Sequence, residues 1–135
     1  MIQTGKYFFF ENAPWLLNQQ GAITPQPCDV SAYVPVDAVR YAIQCTLFRA
    51  SLPPGNPAGY IDASFLIRLP GHTDVNYATA ALLVGQLQGG GQLEGGGFGE
   101  ISIPNIDRTF YWHMQGSTLQ FGCNGSLSLI WYEMP

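Results

Sequence analysis

The sequence of 135 residues has a formal net charge of −4, and only 10% of its residues are charged, against about 25% in an ordinary soluble domain. Its basic residues form no cluster that would suit nucleic acid, and no apolar run is long enough for a signal peptide or a membrane span. We therefore expect a protein made in a reducing cytoplasm whose weakly charged surface largely faces other protein. A neutral surface of Ser, Thr, Asn and Gln is the alternative.

The three cysteines are Cys28, Cys45 and Cys123. An odd number at wide spacing argues against a disulfide framework and against a zinc site. Cys45 lies within an apolar strand pattern, so we expect it to be a small buried side chain. A bridge between Cys28 and Cys123 stays open, although their spacing does not call for it.

Residues 1–35 differ from the rest of the chain because they combine aromatic residues with prolines at positions 14, 25, 27 and 35. Prolines at this density exclude a helix and interrupt strand pairing, so the sequence predicts an extended N-terminal arm. We expect the arm to be anchored on its own domain or on a neighbour by a set of apolar side chains. These anchors are Tyr7, Phe8, Phe9, Phe10, Trp15, Leu16 and Leu17.

Residues 36–135 are predicted to form one domain of strands. In the first strand, predicted over residues 39–50, Tyr41, Ile43, Cys45 and Leu47 alternate with more polar residues, which is the period of two of a half-buried strand. Further strands are predicted over residues 60–69, 76–88, 98–103, 108–115, 118–122 and 126–133. In the closing strand we expect Leu127, Leu129 and Trp131 to point inward.

Glycine and proline mark the predicted connections. Residues 51–59 are expected to be a loop, and the two glycine triplets within residues 89–97 a flexible connection between strands. A phosphate-binding loop would need a helix and a Lys, Ser or Thr partner directly after the glycines, and none follows. Asn124-Gly125 predicts a hairpin turn. The absence of any β-α-β rhythm predicts an all-β fold, an antiparallel β-sandwich or jelly roll.

The sequence offers little for catalysis, and we expect the protein not to be an enzyme and to need no cofactor or metal. His72 lies in a Pro-Gly-His turn without further metal ligands, and no nucleophile motif is present. Two carboxylates could pair in a small hydrolase, but the sequence does not show their separation. The aromatic residues suit ligand binding better than the ionisable residues suit catalysis. Tyr111, His113 and Tyr132 are the side chains that we expect to face outward towards a ligand.

Four stretches give the last hundred residues a resemblance to a known group of proteins. They are Val34-Pro35-Val36-Asp37-Ala38, residues 65–71 (Phe-Leu-Ile-Arg-Leu-Pro-Gly), residues 106–112 (Ile-Asp-Arg-Thr-Phe-Tyr-Trp) and residues 125–133 (Gly-Ser-Leu-Ser-Leu-Ile-Trp-Tyr-Glu). In cadence this region resembles the jelly-roll structural proteins of tailed bacteriophages, namely capsid decoration (cement) proteins and tail-fibre heads. It is also similar to the trimeric heads of complement and tumour-necrosis-factor type.

The resemblance implies a homotrimer in the virion that binds the major capsid protein or another virion protein, with the arm reaching across capsid subunits. No catalytic or binding residue carries over, because the pattern is architectural. Neither nucleic acid nor membrane is an expected partner. The alternative is a receptor- or carbohydrate-binding head, in which exposed rings and loop residues would hold a glycan.

Overall fold

A computed structural model describes residues 1–51, 59–72, 75–87, 92–116 and 122–135 of the chain. These residues form ten strands and no helix. Accordingly, the described part of the chain has no helix that could cross a membrane. The strands are β1 (Ile2–Thr4), β2 (Tyr7–Phe9), β3 (Trp15–Gln20), β4 (Gln26–Asp29), β5 (Arg40–Ser51), β6 (Gly59–Arg68), β7 (Ala78–Leu87), β8 (Gln92–Pro104), β9 (Thr109–Gly116) and β10 (Gly122–Glu133).

The strands build two antiparallel sheets. The first sheet has the order β1-β2-β10-β5-β8, and β3 pairs with the same strand β10 that pairs with β2. The second sheet has the order β4-β9-β6-β7. The pairing is nested along the chain, since β3 pairs with β10, β4 with β9, β5 with β8, and β6 with β7. These sheets confirm the predicted all-β antiparallel class and are consistent with a β-sandwich.

One hydrophobic core lies between the two sheets. The predicted alternation in β5 is confirmed, because Tyr41, Ile43, Cys45 and Leu47 are all fully buried. The second sheet contributes side chains such as Phe110, whose ring centroid lies 6.2 Å from that of Tyr41. Each such Leu, Ile or Phe stabilises the fold by roughly 1.5–3 kcal/mol relative to an exposed position.

A β-bulge in β10 changes which of its aromatic residues face the core. Leu129 pairs with Ile43 and Trp131 with the next residue of β5, Ala42, so Ile130 is the extra residue. A bulge of this kind reverses the alternation beyond it. Leu127 and Leu129 point inward as predicted, but Tyr132 is buried in place of Trp131, which is only half-buried on the outer side. The predicted inward Trp131 and outward Tyr132 are therefore wrong.

Residues 1–35 are part of both sheets, so the structure does not confirm a separate extended arm. β1 and β2 form a hairpin on β10, β3 continues along β10, and β4 pairs with β9. Between β2 and β3 the chain stays bonded to β10, since Phe10 donates its N–H to the carbonyl of Ile130 (2.9 Å) and Leu129 donates to the carbonyl of Pro14 (3.1 Å). The second sheet tolerates Pro27 because β4 is its edge strand, where one side of the backbone needs no donor.

Asn124-Gly125 is not a hairpin turn but lies inside β10, which corrects the prediction. A Cβ on Gly125 would lie 2.5 Å from the backbone oxygen of Thr46 and 3.0 Å from the ring of Phe65. Glycine is required here by the close approach of β5 and of the second sheet, which is one of the reasons for glycine within a strand.

The second glycine triplet is also in a strand rather than in a flexible connection. β8 begins at Gln92, and Gly97 pairs with Leu47 of β5. Strand pairing uses only backbone groups, so a glycine such as Gly97 can take part in it. The first glycine triplet, residues 89–91, lies outside the described residues. The same is true of residues 52–58 in the predicted loop and of most of the predicted strand over 118–122.

Two turns at the same end of the sheets are described in full. Leu69-Pro70-Gly71-His72 has Gly71 at φ 78° and a bond from the N–H of His72 to the carbonyl of Leu69 (3.1 Å), as in a type II turn. His72 thus lies in a turn, as predicted. The β8–β9 connection has Asp107 and Arg108 at φ 55° and 51°, in the left-handed region that non-glycine residues seldom adopt.

Candidate interaction surface

The outer side of the first sheet carries a row of large side chains that are not buried in the core. Phe9 pairs with both Ile2 and Trp131 across neighbouring strands, so the three side chains lie on one side of the sheet. Ile2, Phe9 and Trp15 expose 55%, 36% and 60% of their surface. We call Ile2, Tyr7, Phe9, Trp15 and Trp131 the aromatic face.

Trp131 is the centre of the aromatic face. Tyr7 meets its ring edge-on, with 5.3 Å between ring centroids and an interplanar angle of 88°, and the ring of Phe9 lies 6.5 Å away, tilted by 55°. The guanidinium carbon of Arg40 lies 5.9 Å from the ring centroid, within the range of a cation–π interaction. The rings are thus held in place by one another before any partner binds.

The charges beside the aromatic face are paired within the chain. Glu133 accepts a bond from the ammonium group of Lys6 at 2.9 Å and another from Nε of Arg40, while its own side chain is only 6% exposed. These two bonds, that of Lys6 first, lower the pKa of the Glu133 carboxyl below its usual range. Arg40 also donates to the hydroxyl of Tyr7 at 3.3 Å. The carboxylate therefore links the β1–β2 hairpin, β5 and β10.

The predicted arm anchors divide between the two sides of the first sheet. Phe8 stacks on Tyr132 with 5.1 Å between centroids and an angle of 9°, and Phe10 meets the same ring at 6.0 Å. Leu17 is buried and Leu16 is partly buried against the core. These four anchor the N-terminal residues on their own domain. The other three, Tyr7, Phe9 and Trp15, belong to the aromatic face.

The three residues predicted to face a ligand are not brought together. Tyr132 and His113 are buried, with 9% and 4% of their surface exposed, and only Tyr111 is partly accessible. Burial, and to a smaller extent Arg68, lowers the pKa of His113 below its usual value. Nδ1 of His113 has no hydrogen-bond partner among the described residues. A neutral, buried imidazole of this kind is not placed to meet a ligand from solution.

Reactive groups are few in the described part of the chain. Cys28 and Cys45 are free and buried, and burial raises the pKa of the Cys28 thiol to about 12. The Cys28–Cys123 bridge that the sequence left open is therefore not formed. Within the described ranges no group of three or more His, Cys, Asp or Glu side chains is arranged to hold a metal ion.

A shallow cleft of about 410 Å³ lies where the chain crosses from the first sheet to the second, between β3 and β4. Leu17, Cys28 and Trp112 form its apolar part, and Gln26 and Asp29 its polar part. The Asp29 carboxylate is already used within its own turn, because it accepts a hydrogen bond from the N–H of Ser31 at 2.7 Å.

Sequence reasoning found part of the aromatic face, but it missed Ile2, Lys6, Arg40 and Glu133 as members of one site. Lys6, Arg40 and Glu133 have one signal in the sequence, since isolated charges are conspicuous in a chain with so few, and Ile2 has none. Comparison of the chain with protein-family models, with curated proteins and with solved structures found no match in any of the three.

Proposed function

We propose that this chain is a jelly-roll domain that serves as a non-enzymatic structural protein of a virion, a decoration (cement) protein that stabilises a bacteriophage head as a homotrimer. The nested pairing carries the proposal. When a long hairpin rolls up, its first strand pairs with its last and each inner strand with its counterpart. The pairs β3–β10, β4–β9, β5–β8 and β6–β7 follow that order, alternating between the two sheets.

The chemistry of the described side chains supports a structural role. The buried carboxylate Glu133 is neutralised by two cations, the imidazole of His113 is buried, and the thiol of Cys28 is protonated at neutral pH. Enzymes instead shift the pKa values of accessible groups towards the working pH. These three groups are held in the core or fasten strands to one another.

The surface supports assembly. Aromatic residues and arginine are enriched at the centres of protein interfaces, whereas Lys and Glu are depleted there. The aromatic face combines two tryptophans, a phenylalanine and a tyrosine with Arg40, in a chain with only 10% charged residues. Its partners under this proposal are further copies of the chain and the major capsid protein or another virion protein.

Two measurements test the proposal. Light scattering of the full chain should give the mass of three chains at micromolar concentration, and a monomer would refute the trimer. Immunogold labelling, with antibody to the purified protein, should decorate the heads of virions from the lysate that contains it. If only the tails are labelled, the protein is a tail-fibre component rather than a head protein. If the virions are not labelled at all, a virion role is refuted.

Carbohydrate binding is the second candidate, and the exposed indole of Trp15 favours it, because flat aromatic rings stack on sugars. A glycan array is the direct test. Binding that is lost in Trp15→Ala and kept in the control Ile23→Ala, which changes an equally exposed residue outside the sheets, would support a receptor-binding head. An array with no bound glycan would remove this candidate.

A further inference from the structure

The aromatic face has the size of a functional contact. Aromatic side chains present 150–250 Å² each, so the exposed fractions of Ile2, Phe9 and Trp15 correspond to on the order of 300 Å² of apolar surface. Patches of that size on a monomer are often functional, and a stable interface covers about 800 Å² on each partner. The remainder of the first sheet's outer side would complete such an area.

The outer side of the first sheet has two unlike halves. The half formed by β1, β2, β3 and β10 carries the aromatic face. Two cations lie beside it, Lys6 in the β1–β2 turn and Arg40 at the first position of β5, against the single carboxylate of Glu133, which leaves one positive charge in excess. On the half formed by β5 and β8, Gln44 pairs with Glu100 and Ala42 with Ser102. Ala42 is fully buried, Gln44 and Ser102 are partly exposed, and Glu100 is exposed.

Opposite charges on the two halves favour a head-to-tail contact between copies. If the outer side of the sheet is turned towards a three-fold axis, the aromatic half of one copy meets the half of the next copy that carries Glu100. The positive excess near Arg40 then approaches the Glu100 carboxylate, and the rings of the aromatic face pack beside the partly exposed Gln44 and Ser102. A contact between two different surfaces closes into a ring when the rotation allows it.

We propose that the outer side of the first sheet is the subunit contact of the trimer, occupied by a second copy of this chain, with the aromatic face of one copy on the β5–β8 half of the next. This inference rests on the proposed function, since the trimer is part of it. The nearly balanced charge of the surface suits another protein face better than a strongly charged partner.

The experiment compares the mass of four proteins in solution by light scattering at equal concentration. Trp15→Lys changes the most exposed ring of the face, and Glu100→Lys reverses the charge on the opposite half. Ile23→Lys is the matched control, because Ile23 is 69% exposed and lies in the connection between β3 and β4. Circular dichroism and thermal melting of each variant establish that it is folded.

We expect the parent chain and Ile23→Lys to have the mass of three chains, and the mass of Trp15→Lys and Glu100→Lys to fall about threefold. If the parent is a trimer and Trp15→Lys remains one, the contact is elsewhere, while the proposed function stands. If Ile23→Lys also dissociates, the effect is not specific to this face and the inference fails. A monomeric parent would overturn the inference together with the trimer.

Discussion

Replacing Gly125 with alanine tests whether close approach of two strands selects glycine inside β10. The added methyl group would lie 2.5 Å from the backbone oxygen of Thr46, 3.0 Å from the ring of Phe65 and 3.1 Å from Cε of Met114. The side chains can move, but the oxygen belongs to β5, which is paired on both sides. The strand must therefore shift.

The expected cost follows from these contacts. Overpacking a core costs roughly 1–3 kcal/mol, and a clash with backbone places Gly125→Ala at the upper end of that range. Alanine restricts the unfolded chain, which offsets about 0.4–1 kcal/mol. We expect unfolding to require about 2 kcal/mol less free energy, which lowers Tm by roughly 8 °C for a domain of this size.

Urea denaturation at equal protein concentration measures the change. Gly71→Ala is the matched control: no atom lies within 4 Å of its ideal Cβ, but its φ of 78° makes alanine strained. We expect this control to lose about 1 kcal/mol from backbone strain alone. If Gly125→Ala is as stable as the parent, or loses no more than the control, the close-approach explanation is wrong.

Three further predictions concern single groups. The two cations lower the folded-state pKa of Glu133, so its contribution to stability is present above about pH 4.5 and is lost as the pH falls through the lowered value. In a plot of the urea midpoint against pH, Glu133→Gln should flatten this acidic part of the curve. An unchanged slope would contradict the prediction. Asp107→Gly removes a non-glycine residue from φ 55° and should raise the free energy of unfolding by about 0.5 kcal/mol, whereas a lower value would show that the Asp side chain stabilises the turn. The buried thiols of Cys28 and Cys45, whose pKa values burial raises, should stay unmodified by iodoacetamide in the folded protein and react in urea, as peptide mass spectrometry would show; rapid labelling of the folded chain would contradict their burial.

The strands that the sequence predicts well are those whose pattern is local. In β5 the alternation of Tyr41, Ile43, Cys45 and Leu47 records on its own which side meets the core, and the structure buries all four. The antiparallel class follows from several such runs separated by turn residues. These features need no knowledge of which strand pairs with which.

Features that depend on distant pairing are not predictable in the same way. The choice between Trp131 and Tyr132 as the buried ring is made by the bulge at Ile130, which exists only because of the register with β5. Gly125 looks like a turn residue in its dipeptide, while the reason for glycine is an oxygen from Thr46, far away in sequence. A local sequence pattern shows neither the register between β10 and β5 nor the close approach of Thr46 to Gly125.

The aromatic face shows the same limit. Glu133 is fastened by Lys6 and by Arg40, so three segments far apart in sequence build one cluster. The sequence marks Tyr7, Phe9 and Trp15 as unusual, but it does not indicate that they lie opposite β10. Their separation from Phe8 and Leu17, which turn inward, becomes visible only once the strands are paired.

The central position of β10 has a consequence for how the protein is made. β10 lies between β5 on one side and β2 with β3 on the other. Until β10 has been synthesised, β2 and β5 therefore each lack one neighbour, and β3 lacks the strand with which it pairs among the described residues. Until then the nascent chain exposes apolar strands with unpaired edges, which is the state most prone to aggregation. Because β10 pairs with strands that lie far before it in the sequence, folding should be slow, on the order of milliseconds to seconds, as for other domains built from non-local pairing.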